Sequence, residues 1–183
     1  HPVELDELLV VCEKWGLVLV EDAAESLGSY YKERHTGTIG HFGALSFNGN
    51  KIITTGGGGA VLCQTKGLGA SVKHITTTAK VPHPYEFFHD EPGFNYRMPN
   101  INAALGCAQI ERLSDYIVEK RIIAGRYEDF FNGTAIRFFK EPDYAQSNYW
   151  LNAVICPSEK FRDQLLAETN ALGVMTRPIW KLL

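Results

Sequence analysis

"LVLVEDAAESLG", residues 17–28, begins as a continuous apolar run and ends that run on two carboxylates. A short strand with no polar side is what a parallel sheet needs when helices cover both of its faces. Just before it, Pro2 suits a first helical turn, and Leu5, Leu8, Leu9, Cys12 and Trp15 recur at helical spacing until Gly16 ends the element. Helix followed by buried strand sets the fold class as α/β. In open sheets of this class ligands collect at the carboxyl ends of the strands, which is where Asp22 falls. A carboxylate at a mostly buried strand end needs a partner to offset its desolvation. A protonated ring nitrogen would supply one, and a helix cap for "AAESLG" is the alternative.

Working outward, short apolar runs at residues 44–47 and 60–63 predict further strands. Residues 76–99 hold several prolines and aromatics without any period, which predicts a long ordered loop of functional or interfacial use. Asn100 is a good cap, and a helical pattern runs from it to Phe131. The order then predicted is a strand at 149–155, a helix at 158–172 closed by Gly173, and a strand at 174–177. We place a boundary within the long helix near Leu113, giving a larger domain over 1–112 and a linking helix with a small α/β domain over 113–183.

The chain has 183 residues, is 45% hydrophobic and carries a net charge of −3, enough apolar content for a substantial core. Acidic and basic residues are interleaved, so no basic face points to nucleic acid and no basic amphipathic stretch points to a membrane. The four cysteines form no C-x-x-C pair, and the expected compartment is the reducing cytoplasm. The abrupt first and last residues, "HPVELDELLV" and "TRPIWKLL", read as those of a fragment.

"SFNGNKIITTGGGG", residues 46–59, holds one lysine, Lys51, flanked by Asn50, Ile52 and Ile53. An amine with the ordinary pKa of about 10.4 is a poor nucleophile until desolvation or nearby positive charge lowers that value, after which it condenses with aldehydes. Asp22, Ser46 and Lys51 together match three parts of a pyridoxal phosphate site: pyridinium partner, phosphate ligand and Schiff-base lysine. The glycines at 56–59 are not a nucleotide loop, because no G-K-[ST] ends the run and a strand follows it. They permit either close approach of backbone and cofactor or a flexible turn. His83, His89, Asp90 and Glu91 match no common zinc spacing, so we expect no metal site there. His35 and His41 read as solvated turn residues. Ser46 lacks a G-x-S-x-G elbow, and no G-x-G-x-x-G joins a strand to a helix, which argues against hydrolase and dinucleotide readings.

"VEDAAESLGSYYKERHTGTIGHFGALSFNGNKIITTGGGGAV", residues 20–61, resembles the cofactor half of the DegT/DnrJ/EryC1/StrS sugar aminotransferases, and "GFNYRMPNINAALGCAQIERL", residues 93–113, resembles their second signature. "FNGNK" and "TTTAKVPHPYEFFHD" are similar to the branch acting on nucleotide-linked 4-keto-6-deoxy sugars in legionaminic acid, bacillosamine or perosamine pathways. The resemblance implies fold type I: part of a large domain with a mainly parallel sheet, plus part of a small C-terminal α/β domain. It implies pyridoxal 5'-phosphate as cofactor, Lys51 as the Schiff-base lysine and later the acid and base of the proton shift, and Asp22 at the pyridine nitrogen. It also implies Ser46 on the phosphate and Asn95 reaching the phosphate of a neighbouring subunit in a homodimer. Arg97 would face the nucleotide sugar, and glutamate would be the amino donor. Many relatives carry glutamine or histidine where this chain has Glu25, leaving two readings of Glu25: hydrogen-bonding the cofactor's phenolic oxygen, or facing solvent. Because the family's glycine-led phosphate turn and ring-stacking aromatic lie upstream of the equivalent of His1, the alternative is a non-catalytic module that dimerises or binds a nucleotide sugar.

Overall fold

The computed structural model describes residues 1–181; Leu182 and Leu183, the end of the apolar tail, lie outside the described residues. In chain order the elements are α1 (Leu5–Trp15), β1 (Val20–Asp22), β2 (Tyr30–Tyr31), β3 (Arg34–His35), β4 (Phe42–Ser46), β5 (Gly59–Cys63), α2 (Lys66–Thr76), α3 (Asn100–Ile110), α4 (Leu113–Phe131), β6 (Arg137–Phe138), β7 (Ala145–Gln146), β8 (Val154–Ile155) and α5 (Glu159–Ala171). They form two compact units, one of residues 1–121 with 141–150, the other of residues 122–140 with those from 151 onward.

In the first unit β1 runs parallel to β4, with Asp22 opposite Ala44, and β5 runs antiparallel along the other edge of β4. The sheet among the described residues is therefore mixed. The run at 17–20 is not buried on both faces as expected: Leu17, Val18 and Val20 are 54, 63 and 60% exposed. β1 is an edge strand, so only one of its sides is paired, and Leu19 alone of the run packs inward against the core of Leu5, Tyr31 and Ile39. Gly16 closes α1 in the left-handed conformation, its N–H bonded to the carbonyls of Cys12 and Glu13.

Glu21, one residue before the strand end, accepts hydrogen bonds from the backbone N–H groups of Gly37 at 2.7 Å and of Ile39 and Gly40, each at 2.6 Å. One carboxylate thus satisfies three donors of the loop that leads into β4. The histidines of this region are bonded rather than solvated. His35 accepts from Gly28 N–H through Nε2 at 2.7 Å and donates from Nδ1 to the Thr36 carbonyl at 2.6 Å, while His41 Nδ1 accepts from Leu19 N–H.

The segment 141–150 returns to this unit after α4. Glu141 holds Arg121 through two hydrogen bonds of 2.8 and 2.6 Å, which raise the guanidinium's already high pKa, and Arg121 also donates to the Ser147 carbonyl. β7 pairs with β2, and Lys32 N–H donates to the Tyr144 carbonyl. No strand spans 149–155, because Tyr149 sits at φ +46°, in the left-handed region that breaks an extended chain.

The single helix expected from Asn100 to Phe131 is two, α3 and α4. Arg112 N–H bonds to the Gln109 carbonyl, tightening the turn between them. Pro99, not Asn100, occupies the capping position of α3, and the side chain of Asn102 instead donates to the Thr55 carbonyl at 2.5 Å. In the second unit β6 and β8 pair antiparallel. Ser158 caps α5 by accepting from Phe161 N–H at 3.2 Å. Residues 174–177 form no strand. Thr176 is bonded instead to the end of α5, its hydroxyl 2.6 Å from that of Thr169 and its carbonyl accepting from the Asn170 amide.

Candidate functional site

The parallel pairing of β1 and β4 fixes where the first candidate residues lie. Asp22 is opposite Ala44, and Ser46 stands two residues further along β4, so Asp22 and Ser46 share one face at the carboxyl end of the sheet. Asp22 is exposed rather than mostly buried, because its neighbour Glu21 is the carboxylate turned into the loop. One Asp22 oxygen accepts from Ala24 N–H at 3.2 Å. The residues that follow are turns, so the helix-capping alternative does not apply. Ser46 Oγ accepts from Asn48 N–H at 3.3 Å, which orients the hydroxyl and leaves its hydrogen to offer an anion.

Lys51 follows β4 in a short turn closed by its own N–H on the Asn48 carbonyl. Its side chain is 12% exposed. Nζ pairs with Glu25 Oε1 and lies over the ring of Trp150, 4.4 Å from the centroid. Glu25 thus meets Lys51 while its side chain stays 46% exposed. The site is completed by residues that the sequence did not single out. Trp150 Nε1–H donates to the Asn50 carbonyl at 2.6 Å, and buried Asn148 donates from Nδ2 to the carbonyls of Glu25 and Leu27, each at 2.9 Å. A tryptophan and an asparagine in a polar stretch, "AQSNYW", were the only available signal.

The glycine run is a shaped turn. Gly56 and Gly58 have φ of +80° and +91°, which favours glycine. A Cβ on Gly59 would lie 2.2 Å from the Leu45 carbonyl oxygen, so the close approach made here is to β4. α3 anchors this turn from beside it, Asn102 on the Thr55 carbonyl and Gln109 Oε1 accepting from Thr54 N–H.

Asn95 and Arg97 are not gathered with Lys51. Asn95 forms a backbone bridge with Thr77, and Arg97 lines an open groove of about 540 Å³ with Thr77, Lys80, Pro82, His83 and Pro84. Of the acidic and histidine cluster nearby, His89 Nδ1 donates to the Thr78 carbonyl and His83 Nδ1 accepts from Glu86 N–H. His74, at the end of α2, bonds Asp90 at 2.6 Å and lies 3.8 Å from Glu91. The His74 hydrogen bond holds the Asp90 carboxyl below its usual range.

Lys51 is held by a carboxylate and an aromatic face, and it follows the strand that carries Ser46 and pairs with the one ending in Asp22. The chain belongs to the DegT/DnrJ/EryC1/StrS aminotransferase family, whose profile matches residues 1–183. It is 38% identical over 179 residues to EpsN of Bacillus subtilis (strain 168), named for a pyridoxal phosphate-dependent aminotransferase activity, covering 97% of this chain and 46% of that protein. It is 34% identical over 180 residues to the GDP-perosamine synthase of Escherichia coli O157:H7, covering 98% of this chain and 49% of that one. The aminotransferase TlmJ of Streptoalloteichus hindustanus has a crystal structure that superposes with a TM-score of 0.89 at 26% identity, over 94% of this chain and 47% of TlmJ. The chain spans about half the length of the curated relatives it matches.

Proposed function

We propose that this chain carries the lysine half of a pyridoxal 5'-phosphate-dependent aminotransferase acting on a nucleotide-linked 4-keto-6-deoxy sugar, with glutamate as amino donor. The observation that supports it most is Lys51, an amine withdrawn from solvent at the mouth of a strand end that also presents Asp22 and Ser46. The residues fit the cofactor by their chemistry: an amine for its aldehyde, a carboxylate for its ring nitrogen and a hydroxyl for its phosphate. When bound, the cofactor supplies an electron-accepting ring that draws negative charge from the carbon being deprotonated.

The chain's own residues do the rest. Asp22, with one oxygen committed to Ala24 N–H, offers the other to hold a proton on the ring nitrogen. Ser46 Oγ donates to the phosphate. Lys51 Nζ binds the aldehyde and, once released, carries a proton between carbon and nitrogen as base and then acid. The name of the GDP-perosamine synthase supports a nucleotide-sugar substrate, and the open groove lined by Arg97 supports a role for that guanidinium in meeting its anionic part. Asn95 lies on a loop whose Tyr85 and Phe87 are about four-fifths exposed, which supports a homodimer in which Asn95 reaches the partner's phosphate. The unpaired cysteines support a cytoplasmic location.

The test supplies the purified chain with pyridoxal phosphate, glutamate and GDP- or UDP-linked 4-keto-6-deoxy sugar and looks for the amino sugar by mass spectrometry. The reading predicts an aminated product that Lys51→Ala abolishes. Cofactor bound on Lys51 with no product under any pairing of sugar and donor would favour a non-catalytic module over an enzyme.

A further inference from the structure

We propose that Glu25 and Trp150 form a resting dock for the free ammonium group of Lys51, so that the lysine stays within reach of the site when it is not covalently engaged; the role of this dock rests on the reading of Lys51 given above. Three separate segments converge on one nitrogen. Glu25 Oε1 pairs with Nζ, and the Trp150 ring lies 4.4 Å from it. The turn carrying the lysine is tied to the same tryptophan, because the indole N–H donates to the Asn50 carbonyl at 2.6 Å.

Asn148 makes the two sides of the dock one body. It is 2% exposed, donates to the Glu25 carbonyl at 2.9 Å and accepts from Trp150 N–H at 2.9 Å. Its own N–H donates to Ser29 Oγ, and the Trp150 carbonyl accepts from Lys120 Nζ at 3.2 Å. The Asn148 side-chain amide thus ties the Glu25 backbone to the Trp150 backbone.

The arrangement suits a lysine that must let go and return. A released ammonium on a four-carbon stem would otherwise sample solvent, and holding it beside its target keeps the recapture step effectively intramolecular. The carboxylate supplies charge, and the aromatic face supplies a weakly directional contact that the amine can leave without breaking a second strong hydrogen bond. Glu25 and Trp150 are positioning residues in this account, acting through Lys51.

Two readouts on the same variants test it. In limiting acetic anhydride, followed by peptide mass spectrometry, Lys51 of the wild type should acetylate slowly. Glu25→Gln and Trp150→Leu should each speed it about fivefold, and Trp150→Phe, which keeps the ring face, should stay within about twofold. Lys120, bonded to a backbone carbonyl rather than to either altered side chain, should label at an unchanged rate and so reports that the surrounding fold is intact. With pyridoxal phosphate as probe, adduct formation on Lys51 should slow about tenfold in Trp150→Leu, with Trp150→Phe again close to wild type. Lys51 labelling that is unchanged in both Glu25→Gln and Trp150→Leu, wherever Lys120 is unchanged, would overturn the dock. A chain that takes up pyridoxal phosphate on Lys51 at the same rate in all variants would keep the proposed function and lose the dock. Labelling as expected without any uptake of pyridoxal phosphate would keep the contact geometry and remove its proposed role in recapture.

Discussion

Glu21 and Glu25 belong to the same strand end and face different groups. Glu21 is spent on three backbone N–H donors of the loop at 37–40, whereas Glu25 meets the ammonium of Lys51. Replacing Glu21 by alanine should leave those donors without their acceptor and cost about 2–4 kcal/mol of stability. Urea unfolding measures it, and a loss below about 0.5 kcal/mol would mean that water replaces the carboxylate without penalty. Lys51 stands out in the sequence by its neighbours, an asparagine before it and two isoleucines and a glycine run after it. The partner of Glu25 was not legible. Its position depends on Asn148 and Trp150, more than a hundred residues away in sequence, and no local pattern encodes such a meeting.

The elements follow the same division between local and distant causes. α1 and α5 were readable because their ends are written in adjacent residues, Gly16 in one and Ser158 in the other. Of the strand expected at 149–155 only β8 at its end forms, and that at 174–177 does not, because apolar composition says nothing of φ at Tyr149 or of a side chain such as Asn170 taking the backbone acceptor. Similarly, a helical pattern through 100–131 does not show the tight turn that separates α3 from α4. Packing between elements sets a sharper test in the glycines. A Cβ on Gly43 of β4 would lie 2.0 Å from the Gly37 carbonyl oxygen, backbone against backbone, so Gly43→Ala should cost about 3 kcal/mol or more. Gly125 in α4 has nothing within 4 Å of the same atom, and Gly125→Ala should stabilise by about 0.5–1 kcal/mol. Thermal midpoints of the two variants should therefore move in opposite directions. Movement in the same direction would contradict the packing described for β4.

At the scale of the whole molecule, family membership and α/β architecture extend through the chain, while its length is about half that of the curated relatives. By compactness the chain divides into one unit of residues 1–121 with 141–150 and another of 122–140 with those from 151 onward. The segment at 141–150 carries Trp150 to Lys51, so the candidate site is built by tertiary structure as much as by the signature at 20–61. Leu17 and Val18, just before the edge strand β1, and Val20 within it remain exposed, a contrast with their apolar character that no residue nearby in sequence could reveal. The central claim is that Lys51 is the residue that binds the cofactor's aldehyde. It is tested most directly by treating the purified chain with pyridoxal phosphate, reducing with borohydride and mapping the modified peptide. One phosphopyridoxyl group on Lys51, lost in Lys51→Ala and weakened in Asp22→Asn, is the predicted result; modification spread over the exposed lysines, with Lys51 unmodified, would contradict it.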